Sequence, residues 1–123
     1  MSWSEDDLAQ VAGSEELEIT SYRDDGSLRR LTPIWVVRVG DDLYIRSAYG
    51  SQGGWFRRAT SRGVARVRAG GVETDVTLEP VADEAVREQV GEAYRSKYAG
   101  QPGALRPMLD DPAAGSTTRL VRE

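Results

Sequence analysis

The residues best suited to bind a ligand lie in a glycine-rich stretch from Arg46 to Arg58. Glycines let a backbone approach a phosphate closely, a following helix presents unpaired N–H groups at its start, and arginines bind phosphate through paired hydrogen bonds. The candidates in this stretch are Ser47, Tyr49, Gly50, Gln52, Gly53, Gly54, Trp55, Arg57 and Arg58. The stretch contains no nucleotide-binding fingerprint. The alternative interpretation is an ordinary flexible loop followed by a solvated basic helix face.

A second candidate group surrounds the start of a predicted strand, where Arg29 and Arg30 precede Pro33 and Trp35. The indole of Trp35 can stack on a planar ring while the arginines hold an anion. The alternative is a core aromatic residue that follows two solvated turn residues. The sequence by itself leaves both interpretations open.

The composition excludes several kinds of chemistry. The chain has no cysteine and no histidine, which excludes disulfides, thiolate nucleophiles and thiolate metal ligands. It also removes the commonest metal ligand and the commonest general base at neutral pH. No pair of residues stands out as a general acid and base, and we predict no metal site.

Charge and hydropathy indicate the environment of the protein. The net charge of −4 argues against nucleic-acid binding, since contacts with phosphate backbones usually require a basic face. A nucleic-acid module would need one stripe formed by Arg57, Arg58, Arg62, Arg66 and Arg68. No apolar run approaches the roughly 18 residues of a membrane span. We therefore expect a cytoplasmic protein without a membrane partner.

Periodicity and turn residues predict the elements that position these candidates. Alternating apolar residues predict strands, and capping residues followed by helical spacing predict helices. The predicted strands cover residues 17–22, 31–39, 43–47, 64–69, 72–81 and 117–121. The predicted helices follow Ser4, Gly54 and Asp83. Because Pro33 cannot donate to a strand ladder, its strand should begin at a sheet edge or a bulge.

The element order favours antiparallel pairing, since the segments at 31–39 and 43–47 and those at 64–69 and 72–81 form adjacent hairpins. A length of 123 residues corresponds to one domain, which we place at residues 1–123. The predicted fold is mainly β: a six-stranded antiparallel split β-barrel with two to three short helices.

The motifs that carry a family resemblance are Thr32-Pro33-Ile34-Trp35-Val36-Val37, Gly40-Asp41-Asp42-Leu43-Tyr44-Ile45-Arg46-Ser47, Gly50, Trp55, Gly63-Val64-Ala65-Arg66-Val67 and Gly70-Gly71. In this order they resemble the flavin- and deazaflavin-binding split barrels, which include pyridoxamine-phosphate oxidases and deazaflavin-dependent nitroreductases. A closer resemblance rests on the opening tryptophan, Tyr94-Arg95-Ser96-Lys97-Tyr98, Pro107-Met108 and the final Thr-Thr-Arg-Leu strand. In these features the chain is similar to the uncharacterised bacterial domain-of-unknown-function family 2255 over nearly its whole length.

The resemblance implies a site and an assembly. In split barrels of this kind the cofactor lies at a homodimer interface, with its ring against the second strand and its phosphate at the end of the third. The residues implied near the ring are Pro33, Ile34 and Trp35. Those implied near the phosphate are Arg46, Ser47, Tyr49, Gly50, Trp55 and Arg58.

Two functions follow as expectations. One is an oxidoreductase that uses FMN or a deazaflavin to act on a small organic acceptor, in which the cofactor carries the chemistry. The other is a non-catalytic protein that keeps the barrel without a cofactor, as a ligand-binding or interaction module. The absence of an acid–base pair keeps the second function open beside the first.

Overall fold

The computed structural model describes residues 3–50 and 53–123, and its centre is an antiparallel sheet of seven strands. In chain order the strands are β1 (Leu17–Thr20), β2 (Thr32–Ile34), β3 (Val37–Val39), β4 (Asp42–Ile45), β5 (Val64–Ala69), β6 (Val72–Pro80) and β7 (Thr118–Arg122). Across the sheet their order is β2-β1-β5-β6-β7-β4-β3. The predicted β5–β6 hairpin is confirmed, and its turn uses positive φ angles at Gly70 and Gly71.

The sheet must curl into a barrel, because a very short segment of chain joins its two edge strands. Strands β2 and β3 lie at opposite edges of the sheet, yet only Trp35 and Val36 separate them along the chain. The prediction of one continuous strand at 31–39 is therefore wrong. Its first half pairs with β1 and its second half pairs with β4. Pro33 does lie in an edge strand, as its missing N–H group predicted.

Five helices accompany the sheet in the described part of the chain: α1 (Glu5–Ala12), α2 (Gly54–Arg62), α3 (Glu84–Lys97), α4 (Pro102–Leu109) and α5 (Asp111–Gly115). The predicted caps are confirmed at two of them. The hydroxyl of Ser4 accepts the N–H of Asp7 at 3.1 Å, and the carboxylate of Asp83 accepts two N–H groups of the first turn of α3. None of the described helices is long and apolar enough to cross a membrane.

The predicted count of six strands and two to three helices is corrected to seven and five in the described residues. The seventh strand comes from the division of the segment at 31–39. Helices α4 and α5 were missed because Gly100, Pro102 and Gly103 predict a flexible connection after α3. Proline is tolerated in the first turn of a helix, where its missing N–H has no partner in any case, and Pro102 stands there.

Two apolar clusters hold the fold together. The first fills the barrel, and α1 closes one end of it with Leu8 and Val11. Next to α1, the indole N–H of Trp3 donates to the carbonyl of Leu120 at 2.9 Å. The second cluster lies between the outer surface of β3 and β4 and helices α3 and α4, and it consists of Val37, Tyr44, Val81, Val90, Tyr94, Tyr98, Leu105 and Met108. The sheet thus carries its helical layer on the β3–β4 side.

Candidate functional site

Helix α2 begins without a side-chain cap. Its N-cap residue is Gly53, which offers no side chain to accept a hydrogen bond from the first turn, and that turn contains no acidic residue. The first N–H groups of a helix have no partners within the helix, and their partial positive charge attracts anions. The start of α2 is therefore suited to bind a negatively charged group.

Ser47 lies next to this helix start. The residue is 1% exposed, and in the described part of the chain its Oγ is a buried side-chain atom without a hydrogen-bond partner. A Cβ on Gly53 would lie 2.4 Å from this Oγ, so a larger residue at position 53 would force the side chain of Ser47 to move. A Cβ on Gly50 would lie 2.7 Å from the carbonyl oxygen of Pro112. The predicted glycine loop is thus closely packed at both positions, and its Ser51 and Gln52 lie outside the described residues.

Arg58 folds back toward the same helix start. Its Nη1 lies 3.2 Å from where a Cβ on Gly54 would stand. Arg58 also lines a narrow crevice together with Trp55, Arg29 and Arg30. The crevice encloses about 10 Å³, so an anion would bind at its mouth. Among the described residues, none of these three arginines forms an ion pair.

We call Ser47, Gly53, Gly54 and Arg58 the α2 anion site. It combines a buried hydroxyl that lacks a partner, an uncapped helix start and a guanidinium group. Such a set suits a phosphate, since each component donates hydrogen bonds and a phosphate presents several negatively charged acceptor oxygens. The neighbouring arginines at positions 29 and 30 add positive charge near the mouth of the crevice.

The three residues expected near a cofactor ring have different environments. Pro33 is exposed on the edge strand, and Ile34 is buried in the barrel. Trp35 stacks on Tyr98 with ring centroids 3.8 Å apart and planes 3° apart. One face of the indole is therefore covered by this chain's own tyrosine, which favours the core-aromatic interpretation of Trp35.

Arg46 and Tyr49, both expected near the phosphate, have opposite environments. The side chain of Arg46 is buried against α3 and α4, where it donates to Thr117, to the carbonyl of Met108 and to the carbonyl of Arg87. Burial is the main cause that lowers its pKa below the ordinary value. Tyr49 is 79% exposed.

Sequence reasoning placed Arg29 and Arg30 with Trp35, whereas the structure brings them to Trp55 and Arg58. The reason is the β1–β2 connection, which runs beside α2 and not beside the α3 layer. The sequence gives only a weak signal for the position of Arg29 and Arg30, because this position depends on which strand pairs with β1. Gly53 and Gly54 belong to the predicted glycine loop, but nothing in the sequence indicates their contacts with Ser47 and Arg58.

The groups with the largest pKa changes lie near the break between β2 and β3. Burial lowers the pKa of Lys97 to about 8, and its Nζ donates to the carbonyl of Val36 at 2.6 Å. Burial also raises the pKa of Tyr98 to about 12 and raises that of Tyr94. In residues 3–50 and 53–123, no group of three or more acidic side chains is arranged to hold a metal ion.

A family model described as "Uncharacterized protein conserved in bacteria (DUF2255)" matches residues 7–120. The match covers most of the chain and agrees with the resemblance seen in the sequence motifs. No curated protein matches the sequence. Other evidence of relationship comes from solved structures.

Three solved structures share the fold. A putative pyridoxamine 5'-phosphate oxidase from Listeria innocua has a TM-score of 0.66 and 17% identity, over 94% of this chain and 90% of that one. An F420-H2 dependent reductase has a TM-score of 0.63 and 14% identity, over 88% and 94% of the two chains. An FAD-binding protein from Mesorhizobium loti has a TM-score of 0.59 and 18% identity, over 100% and 92%. At these identities the likeness establishes the mainly antiparallel barrel fold and nothing finer.

Proposed function

Since the chain belongs to the DUF2255 family of uncharacterised bacterial proteins, we propose that it binds the phosphate of FMN or a deazaflavin at the α2 anion site and acts as an oxidoreductase on a small organic acceptor. The observation that carries the proposal is the buried Oγ of Ser47, which has no partner among the described residues and adjoins the uncapped start of α2. Similarity in fold to an F420-H2 dependent reductase and an FAD-binding protein supports the cofactor class.

The chain's own residues would bind and orient the cofactor. Ser47 Oγ and the first N–H groups of α2 donate to phosphate oxygens, and Arg58 neutralises their charge. Trp55 is partly buried against the barrel core and lines the adjoining crevice, where it keeps the phosphate end in place. A bound flavin or deazaflavin supplies the capacity to transfer a hydride.

The ring of the cofactor would extend toward the exposed edge of β2. Pro33 is exposed there, while Ile34 is buried and one face of Trp35 is covered by Tyr98. Residues of this chain therefore supply only part of a ring site. A second copy of the chain, placed against the outer surface of β1 and β2, would complete it.

The outer surface beside β1 and β2 has properties that suit a homodimer. An apolar crevice of about 290 Å³ lies there, and Leu28 beside it is 41% exposed. Leu31 also lines this crevice, and so do the charged residues Arg66, Arg68 and Glu73. Arg29 lines both the apolar crevice and the crevice that adjoins the α2 anion site. A second copy bound at the apolar crevice would thus lie next to the proposed cofactor.

The direct test is a titration of the purified protein with FMN and with a deazaflavin, followed by absorption and fluorescence. We expect saturable binding with a micromolar Kd. Arg58→Ala should weaken it about tenfold or more, which corresponds to the loss of about 1.4 kcal/mol from a charge-assisted contact. Trp55→Ala should weaken it as well.

Arg106→Ala is the matched control, because Arg106 is an exposed arginine on α4 and its removal changes the net charge equally. It should bind both cofactors like the wild-type protein. Equal losses for Arg58→Ala and Arg106→Ala would indicate general electrostatic attraction and contradict the site. No binding of either cofactor would reject the proposal.

A second function is favoured by the stacking of Trp35 on Tyr98. This contact occupies an aromatic face in the segment expected beside the ring, and it supports a protein that binds a ligand without turnover. The two functions differ in one assay. Bound cofactor that is reduced and reoxidised by a small nitro or quinone acceptor supports the oxidoreductase, and binding without turnover supports the ligand-binding protein.

A further inference from the structure

Gly91 occupies an unusual position in the interior of α3. Glycine is unfavourable inside a helix because ordering its backbone costs more entropy than for other residues. A Cβ at this position would lie 3.7 Å from Nη1 and 3.8 Å from Nη2 of Arg46, and 3.9 Å from Nη1 of Arg95. The two terminal nitrogens of Arg46 therefore meet no side chain at position 91, while Nη2 donates to the carbonyl of Arg87 on the same helix.

Among the described residues, the charge of Arg46 is not paired with a carboxylate, although its guanidinium carbon lies 5.5 Å from the ring centroid of Tyr94. Arg46 is 3% exposed, and it donates to three neutral acceptors on Thr117, Met108 and Arg87. A guanidinium group has more N–H donors than these three bonds use. In the described part of the chain no carboxylate lies within 4.0 Å of it. A buried cation without a counter-ion is costly, and an anion from solution would remove that cost.

A broad open groove of about 1010 Å³ gives access to this cation. It is lined by Gly91, by the arginines Arg46, Arg87 and Arg95, and by the acidic residues Glu84, Glu88, Glu92 and Asp111. Glu84 pairs with Arg87 and Glu92 pairs with Arg95, whereas Glu88 and Asp111 form no ion pair with the described residues. They disfavour a ligand with several negative charges and are compatible with one whose remaining groups are neutral or cationic.

We propose that this Gly91 groove binds a small monocarboxylate, with its two oxygens at Nη1 and Nη2 of Arg46 and with the Arg95–Glu92 ion pair beside it. The planar fork of a guanidinium matches the two oxygens of a carboxylate. The neutral or ammonium-bearing remainder of the ligand lies toward Glu88 and Asp111. The site is separate from the α2 anion site, since Arg46 packs against α3 and α4.

The test is an NMR titration of nitrogen-15-labelled protein with sodium acetate and with glycine, at constant ionic strength maintained with chloride. The reporter is the Nε–Hε signal of Arg46, which its hydrogen bond to Thr117 at 2.9 Å protects from exchange. We expect a saturable shift with each probe. Gly91→Ala should lower both affinities at least tenfold, because its methyl group covers the two terminal nitrogens.

Gly103→Ala is the matched control, since Gly103 is a helical glycine around which a Cβ would meet nothing within 4 Å. It should bind the probes like the wild-type protein. The contacts of an alanine at position 91 are ordinary van der Waals distances, so that variant keeps the fold. Arg95→Gln, at an exposed position, should weaken binding severalfold.

The proposal is overturned if the Arg46 signal does not shift saturably, or if Gly91→Ala binds acetate with wild-type affinity. Neither result depends on a flavin. Failure of this site would leave the cofactor titration unaffected, and failure of the cofactor titration would leave this site unaffected.

Discussion

Arg46 and Ser47 are consecutive residues at the end of β4 whose side chains enter different environments. Side chains alternate across an extended backbone, so Arg46 shares the outer side of Tyr44 and packs against the helices. Ser47 lies next to Gly53 at the start of α2. Arg46 and Ser47 were both expected beside one phosphate, but each belongs to a different candidate anion site. Each contains a polar group that the described residues leave incompletely paired.

Ser47→Ala should raise the free energy of unfolding by about 1 kcal/mol, since it removes a buried hydroxyl that lacks a partner. The same change should weaken FMN binding, because it removes a donor of the α2 anion site. Urea denaturation and the cofactor titration measure the two effects.

Ser116→Ala is the matched control for this change. The Oγ of Ser116 accepts the N–H of Ser47 at 2.8 Å and donates to the carbonyl of Ala113 at 2.7 Å. Its removal should lower the free energy of unfolding by about 1 kcal/mol. If both alanine variants are destabilised equally, the Oγ of Ser47 has a partner and the site is wrong.

At the scale of elements, the break between β2 and β3 is held by the end of α3. The hydroxyl of Tyr98 accepts the N–H of Val36 at 3.2 Å and donates to the carbonyl of Glu15 at 2.6 Å. Lys97 donates to the carbonyl of Val36. These contacts replace the ladder bonds that the strand loses where it passes from one sheet edge to the other.

The amine of Lys97 should make stability depend on pH. Its pKa is about 8 in the folded protein and near 10.5 ordinarily, so between these values the unfolded chain holds a proton that the folded chain has lost. The free energy of unfolding should therefore rise with pH above about 8. Because the amine is about half exposed, solvent screening keeps the rise small.

The rise should end near pH 10, the ordinary pKa of tyrosine. Tyr98 and Tyr94 have raised pKa values, so above that pH the folded chain keeps protons that the unfolded chain loses, and stability falls. Urea denaturation at several pH values between 7 and 10 tests this on the wild-type protein and on Lys97→Met. The variant should lack the rise, and a rise of the same size would exclude Lys97 as its source.

The packing of α1 on the β5–β6 turn can be tested by comparing alanine substitutions at two glycines. Gly70 has a φ of +55°, and a Cβ there would lie 2.4 Å from the carbonyl oxygen of Gln10 in α1. Gly40 has a φ of +62°, and a Cβ there would meet nothing within 4 Å. Gly40→Ala should cost about 1 kcal/mol through its backbone conformation alone.

Gly70→Ala should cost about 1–3 kcal/mol more, because α1 must also move away from the turn. Denaturation curves of the two variants give the difference directly. Equal costs would indicate that α1 is not packed against this turn.

At the scale of the whole molecule, the helices leave the outer side of β1 and β2 with exposed apolar area. Leu28 is 41% exposed at a crevice that Leu31 also lines. Exposed apolar area of this kind marks interaction surfaces, and a second copy is the proposed occupant. The proposed cofactor would then lie between two copies.

Light scattering after size exclusion should give twice the mass of one chain. Leu28→Asp should raise the dimer Kd at least tenfold, because it places a charge in the apolar contact. Ala104→Asp, at an exposed position on α4, adds the same charge away from that surface and should leave the dimer intact. A monomeric wild-type protein, or equal dissociation of the two variants, would contradict the proposed interface.

The sequence by itself determined the local structure and the chemistry that is absent. Caps at Ser4 and Asp83 and the turn at Gly70 and Gly71 depend on residues within a few positions, so α1, α3 and the β5–β6 hairpin could be predicted. The absence of cysteine and histidine needs no structure.

Only the tertiary structure decided the strand partners and the side on which each candidate residue lies. Residues 31–39 have one continuous apolar pattern, but pairing with β1 at one end and β4 at the other divides them. The same long-range packing stacks Trp35 on Tyr98 and buries Arg46 beneath Gly91. Such contacts join residues more than forty positions apart. Local propensity carries no information about them. The energy that selects these contacts arises only when the barrel closes and the helices pack.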